Sequence, residues 1–240
     1  MDLSKTSALI TGAGRGLGRA LGEQLAAAGA RVVLVARSEP ELSEVVAGIR
    51  RAGGEAHPLC FDVSRKEDVY PLAGAAAALV GPIDLLIHNA SSLGPTPLRL
   101  LLDTECEALS SVLETNLVGP FRLSRAIVGS MALRKTGTIV HISSDASVNA
   151  YAGWGAYSVS KAGLDHLSRL WAAELAERGV RVLAVDPGEM DTVMHRQALP
   201  DADAATLARP ERVAACILAL LRDERVASGS RIEAQNWSAA

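Results

Sequence analysis

Strand and helix patterns alternate from one end of the 240-residue chain to the other, which predicts an α/β fold built as a doubly wound parallel sheet in three α/β/α layers. Three observations carry this prediction. Apolar runs such as Arg31-Val32-Val33-Leu34-Val35-Ala36 and Thr138-Ile139-Val140-His141-Ile142 have the length and content of buried strands. Between such runs, apolar residues recur at helical spacing, as at Leu17, Leu21 and Leu25. The first strand runs into the glycine-rich turn Thr11-Gly12-Ala13-Gly14-Arg15-Gly16-Leu17-Gly18, which opens a helix. No internal repeat, low-complexity block or linker interrupts the alternation, so residues 1–240 read as one domain.

Composition narrows the function classes. With 21% charged residues, a net charge of −3 and no dense Lys/Arg block, the chain lacks the basic patch that nucleic acid or an anionic membrane calls for. Cys60, Cys106 and Cys216 form neither a disulfide framework nor a metal-ligand cluster, and are expected to be buried thiols in a reducing, cytoplasmic setting. The N-terminus has no secretory pattern and no apolar run reaches a membrane span, so neither membrane nor metal is expected.

Ser7 to Ile10 is the first strand, and the glycine turn after it lets backbone N–H groups and a helix N-terminus face a pyrophosphate. That helix stops at Gly29, and the strand 31–36 completes a dinucleotide-binding βαβ half. A group that reads the adenosine ribose is expected at the end of this second strand. No acid stands there; Arg37 and Ser38 do, with Arg15 in the turn as a second cation. Two guanidinium groups suit a 2′-phosphate better than a bare hydroxyl, which favours NADP over NAD.

Glu41 to Arg51 is helical, and Glu55 to Phe61 is a third strand ending at Asp62-Val63. Asp62 is placed to accept from the adenine amine, while Ser64 is expected to cap the next helix through the pattern Ser64-Arg65-Lys66-Glu67. The fourth strand, Ile83 to His88, ends in Asn89-Ala90-Ser91-Ser92, where small residues let a cofactor ribose lie against backbone. Leu93 to Leu102 is a surface loop, and Asp103 to Arg134 one long helix with a break near Gly119-Pro120. Asn116 stands inside that helix, either as a satisfied core residue or as the holder of a water beside Lys161.

Ser144 ends the fifth strand, 13 residues before Tyr157, and Tyr157 and Lys161 lie four apart on a helix predicted from Trp154 to Arg178. Both side chains leave one face of it. A hydroxyl, a phenol and an ammonium can then meet a single carbonyl. Val180 to Asp186 is a sixth strand that Pro187-Gly188 ends abruptly; Glu189 to Ala208 has weak periodicity, and residues 188–208 are expected to form a substrate lid. Glu211 to Arg222 is the last helix, and Arg231 to Ala234 a short closing strand.

These motifs together resemble the classical short-chain dehydrogenase/reductase family over nearly the whole chain. The turn Thr11–Gly18 is similar to the family's T-G-x-x-x-G-x-G, and Asn89-Ala90 to the centre of its N-N-A-G motif. Asn116, Ser144, Tyr157 and Lys161 fall where its Asn-Ser-Tyr-Lys tetrad falls, and Pro187-Gly188 and Thr192 match its nicotinamide-amide segment. The resemblance implies a Rossmann-like seven-stranded sheet in order 3-2-1-4-5-6-7, and a homodimer or homotetramer formed through the two long helices. It implies cofactor contacts from Thr11, Gly12, Gly14, Arg15, Gly16, Leu17, Gly18, Arg37, Ser38, Asp62, Val63, Asn89, Ala90, Ser91, Tyr157, Lys161, Pro187, Gly188, Met190 and Thr192. The chain departs from the pattern at His88, Ser91 and Asp186, and its tail lacks the closing D-G-G.

The expected chemistry is hydride transfer between NADP(H) and a carbonyl or alcohol, most simply ketone reduction, with Tyr157 as acid or base and Ser144 as donor to the substrate oxygen. Lys161 favours the phenolate and holds the ribose. Two alternatives stand beside it: a catalytically silent NADP-binding sensor or scaffold, and an NAD-dependent alcohol dehydrogenase. Ser144, Asp145, Tyr151, Trp154, Glu189 and Met194 are the candidate substrate contacts, with Ser92, Leu93 and His195 near them; His195 is expected to be exposed.

Overall fold

The computed structural model describes residues 1–237. Its strands are β1 (Ser7–Thr11), β2 (Arg31–Ala36), β3 (Glu55–Cys60), β4 (Leu85–His88), β5 (Gly137–Ile142), β6 (Val180–Asp186) and β7 (Arg231–Glu233). All pair in parallel, in the order β3-β2-β1-β4-β5-β6-β7. The helices are α1 (Gly16–Ala27), α2 (Glu39–Arg51), α3 (Lys66–Val80), α4 (Cys106–Leu113), α5 (Gly119–Arg134), α6 (Gly155–Glu174), α7 (Val193–Ala198) and α8 (Pro210–Arg222).

Alternation within each strand divides the core into two layers. Ala8, Ile10, Val32 and Leu34 pack with Leu21, Leu25, Leu42 and Ile217 of α1, α2 and α8. Leu9, Val33 and Val35 face the other way, onto Val69, Leu72, Leu123 and Ile127 of α3 and α5. A strand buried on both faces carries a continuous apolar run, and β1 and β4 are buried at every position. The order reverses between β1 and β4, so the crevice beyond their C-terminal ends is where a ligand has room.

Several sequence expectations are corrected. The long helix expected over 103–134 starts at Cys106, after a 3₁₀ turn (Leu101–Asp103), and runs without a gap from α4 through a π turn (Glu114–Val118) into α5. The irregularity ends at Val118, next to Gly119-Pro120, the expected place of a break. Close packing explains Gly119, since a Cβ there would lie 2.5 Å from the Val63 carbonyl oxygen. Ser64 does not cap α3; the cap position is Arg65, which makes no side-chain bond. Asp62 has captured Ser64 instead, accepting from its N–H at 3.0 Å and its hydroxyl at 2.7 Å. The predicted helix 154–178 ends at Glu174 and finishes in a 3₁₀ turn. The cysteines are not buried: Cys60 lies on edge strand β3 and Cys106 opens α4 on the surface, both exposed, while Cys216 is half-buried. Among the described residues no helix is long and apolar enough to cross a membrane.

Candidate active site

A cleft of about 730 Å³ opens beyond the C-terminal ends of β1 and β4. Its floor is the glycine turn, where Gly12 and Gly16 take positive φ angles of 66° and 55°. Gly18 is a packing glycine, because a Cβ on it would stand 2.3 Å from the Gly12 carbonyl oxygen. Arg15 occupies the cap position of α1 without a side-chain capping bond, so the first-turn N–H groups are left to a ligand. Thr11 is buried and structural: its hydroxyl oxygen accepts from the N–H groups of Asn89 and Ala90, both at 3.1 Å. Asn89 in turn donates to the carbonyls of Thr11 and Gly12, each at 3.0 Å, and this ties β4 to the turn.

At the adenosine end Arg15 is 60% and Arg37 79% exposed in their side chains. Each stands near an acid, Arg15 3.8 Å from Glu41 and Arg37 4.0 Å from Asp62, both long, solvated pairs. The Ser38 oxygen accepts from Glu41 N–H at 3.5 Å as the cap of α2, a second role beside its place on the cleft wall. Val63, Ser91, Met190 and Thr192 also line the cleft. Gly188 and Glu189 lie beyond it on an exposed segment, while Pro187 is buried.

At the other end Tyr157 and Lys161 share the buried face of α6. The Lys161 Nζ donates to the Ile142 carbonyl at 2.7 Å and lies 5.4 Å from the centre of the Tyr157 ring. Burial pulls the Lys161 ammonium down to about 8, against the attraction of Asp165 and Asp186. Burial pushes the Tyr157 phenol up to about 12, and the neighbouring hydroxyls of Ser144 and Ser91 oppose it. Ser144 accepts from Ala146 N–H at 3.2 Å and donates to Asp145 at 3.0 Å; the other Asp145 oxygen accepts from the Tyr151 hydroxyl at 2.8 Å.

Asn116 is a fully satisfied residue. Its oxygen accepts from Ser92 N–H at 2.7 Å and the Ser91 hydroxyl at 3.2 Å, and its amide donates to the Ser92 carbonyl at 2.8 Å and to Ser160 Oγ at 2.9 Å. Ser160 donates onward to the Tyr157 carbonyl at 2.6 Å. The side chain thus has no bond to spare for a water, and a water beside Lys161 would have to be held by the Asn116 backbone. It sits in the π turn, a distortion of the kind that gathers at functional sites.

An apolar wall of Leu93, Leu98, Trp154, Met194 and Ala198 packs with Ala146 around Tyr157. Asp145, Tyr151 and Glu189 form an exposed polar rim. His195 is not exposed as expected: its side chain is 11% accessible and its Nε2 lies 3.7 Å from Glu189. Sequence reasoning missed Ser160, Asp165 and Arg231. Asp165 and Ser168 continue the spacing of Tyr157 and Lys161 along α6, a signal that was available; Arg231 reaches the site only through the sheet order.

A parallel sheet with a phosphate-type glycine turn at its switch point and a Ser-Tyr-Lys cluster beside it defines a dinucleotide-binding oxidoreductase. The short chain dehydrogenase family matches residues 6–203, and the chain belongs to it. Among its relatives, the 3-oxoacyl-[acyl-carrier-protein] reductase of Synechocystis is 37% identical over 94% of this chain and 92% of its own. A short chain dehydrogenase structure from Pseudomonas syringae matches with a TM-score of 0.91 and 32% identity, covering 98% of this chain and 96% of that one. A metagenomic short-chain oxidoreductase in complex with NADP matches with a TM-score of 0.81 and 32% identity, over 97% and 99% of the two chains.

Proposed function

We propose that this single catalytic domain reduces a ketone with NADPH, and that Tyr157 is the proton donor. The observation that carries this reading is the placing of the Tyr157 phenol and the Lys161 ammonium on one buried helix face, with the Nζ 5.4 Å from the ring centre. A phenol is protonated at neutral pH, the form reduction requires. Burial, which pushes Tyr157 up to about 12, makes it a weaker acid, and the Lys161 cation beside it would have to offset that as the proton leaves. When bound, NADPH supplies the hydride. The turn Thr11–Gly18 would hold its pyrophosphate, Arg37 and Arg15 its 2′-phosphate, and Lys161 its nicotinamide ribose.

In the proposed reaction Ser144 turns its hydroxyl from Asp145 to the substrate oxygen, and Tyr157 protonates that oxygen as charge develops on it. The apolar wall excludes water, and residues 188–208, with Met194 packed toward Tyr157, act as the lid. The Synechocystis relative makes a 3-oxoacyl thioester the first substrate to try. The protein works in the cytoplasm as a homodimer or homotetramer, associating through α5 and α6, whose outer faces expose Phe121, Leu133, Val159 and Leu170. The test is NADPH oxidation with acetoacetyl-coenzyme A and a panel of ketones, for the wild type and Tyr157→Phe. Activity lost in the variant with NADPH binding intact supports the reading, and turnover near wild-type level would overturn it.

A further inference from the structure

Arg231, on the last strand, is the meeting point of three segments that the sequence keeps far apart. One terminal nitrogen donates to the Ser144 carbonyl at 2.9 Å and to Asp186 at 2.8 Å. Its Nε donates to Asp165 at 3.1 Å and to Ser147 Oγ at 3.3 Å. The Ser147 hydroxyl donates to the same Asp165 oxygen at 2.5 Å, and the remaining terminal nitrogen lies 3.9 Å from Glu233. Asp186 uses its second oxygen to accept from Gly188 N–H at 2.9 Å.

Each contact lands on an element that carries part of the site. Ser144 belongs to the loop after β5. Asp165 stands one turn beyond Lys161 on α6, and Asp186 ends β6 and holds the Pro187-Gly188 bend. The two carboxylate side chains are 5% and 6% accessible, and the guanidinium side chain 23%. Two buried acids thus face two cations, Arg231 and Lys161, in a balanced cluster.

We propose that Arg231 and Asp186 form a positioning pair, which fixes the Ser144 loop, α6 and the Pro187-Gly188 bend relative to one another and sets the charge that faces Lys161. The inference rests on the proposed reduction, for which these segments carry the donor hydroxyl, the acid and the nicotinamide contact. The charged groups acting on Lys161 are Asp165 on α6 and Asp186 on β6, with His141 on β5 and Tyr157 on α6 beside it; Arg231 on β7 acts through the two acids it holds. Other acids on elements packed against α6 stand apart: Glu114 of the π turn is taken up by Arg122 at 2.7 Å, and Glu107 of α4 is exposed.

The charge coupling is tested with neither substrate nor cofactor. The chain has four lysines (Lys5, Lys66, Lys135 and Lys161), so NMR of lysine-labelled protein gives a small set of ε-carbon signals, and Lys161→Met identifies one. In the wild type the Lys161 signal is expected to titrate near 8. Removing the Asp186 charge with Asp186→Asn withdraws support from the ammonium and moves the midpoint down, by about one pH unit. Arg231→Gln leaves both acids facing Lys161 and moves it up, and the double variant returns it toward wild type. Midpoints that stay put, or that move the same way in both single variants, overturn the charge coupling.

Positioning is read separately with Arg231→Lys, which keeps the charge but cannot span the same acceptors. The expected result is a fall in kcat of about tenfold or more, with the NADPH Kd and the Lys161 midpoint nearly unchanged. Turnover within about twofold of wild type overturns positioning. If Arg231→Gln does not fold, Asp186→Asn and Arg231→Lys still decide both halves. Tyr157→Phe, run in parallel, tests the reduction itself: its failure leaves the Lys161 titration as an independent result.

Discussion

The neutral histidine pair between β4 and β5 makes a quantitative demand on acid stability. His88 and His141 stand opposite each other in register and stack at 4.9 Å, 13° from parallel. His88 Nε2 lies 2.8 Å from Ser124 Oγ, and His141 Nδ1 lies 2.8 Å from Ser168 Oγ. Ser168 spends its proton on the Leu164 carbonyl, so His141 must donate through Nδ1. Burial, and then the charge of Lys161, hold His141 down at about 3; burial and His141 hold His88 well below its ordinary value. In the unfolded chain both imidazoles take up protons below pH ~6.5. There the unfolded state binds more protons than the fold, so stability is complete above that pH and is lost as pH falls toward 3. At pH 5 this amounts to about 2 kcal/mol for His141, and His88 adds in the same direction. Urea unfolding at pH 7, 6 and 5 checks it by comparing the wild type with His141→Gln, whose amide can still donate to Ser168. The variant is expected to be less stable at pH 7, and the gap should shrink by about 2 kcal/mol at pH 5. The other histidines are common to both proteins and cancel. Parallel stability curves would refute a buried, neutral His141.

Three further outcomes are expected. Tyr157→Phe should lower kcat with an identified ketone by about 10²–10⁴-fold, with NADPH affinity by fluorescence titration unchanged. Arg37→Ala should weaken NADPH binding by about five- to thirtyfold and leave NADH nearly unaffected, because so exposed a cation contributes about 1–2 kcal/mol to one phosphate. Raising the ionic strength should narrow that difference. Gly18→Ala should lower the Tm by several degrees without any ligand present, since its methyl meets the Gly12 carbonyl and overpacking costs about 1–3 kcal/mol.

What could be read from the sequence was whatever depends on spacing along one element. The alternation of strand and helix, the glycine turn and the shared face of Tyr157 and Lys161 follow from periodicities of 2 and 3.6 or from local motifs, whereas the strand order came only from the resemblance to the family. The cap of α3 was misread because two local hydrogen-bonding options compete at Asp62-Val63-Ser64, and the Asx-type turn wins over the capping box. The π turn escaped because it keeps the helical apolar pattern while adding one residue to a turn. The thiols were misplaced by reading residue type alone, without asking that β3 lie at the sheet's edge. Arg231 was invisible for a different reason: its partners are 45 to 87 residues away, and only the β5-β6-β7 adjacency brings them together.

That adjacency also changes the meaning of the departures from the family pattern. Taken singly along the sequence, His88, Ser91 and Asp186 look like three weakened contacts. In the fold each meets a matching group on a neighbouring element: His88 stacks on His141, the Ser91 hydroxyl donates to Asn116, and the Asp186 carboxylate pairs with Arg231. A buried carboxylate without a counter-charge would be costly, and Arg231 stands in the segment where the usual D-G-G is missing. The tail and the β6 bend are thus coupled in this fold through one ion pair. Removing one charge alone, with Asp186→Asn or Arg231→Gln, should cost more stability than removing both, and this non-additivity is what a compensated pair requires.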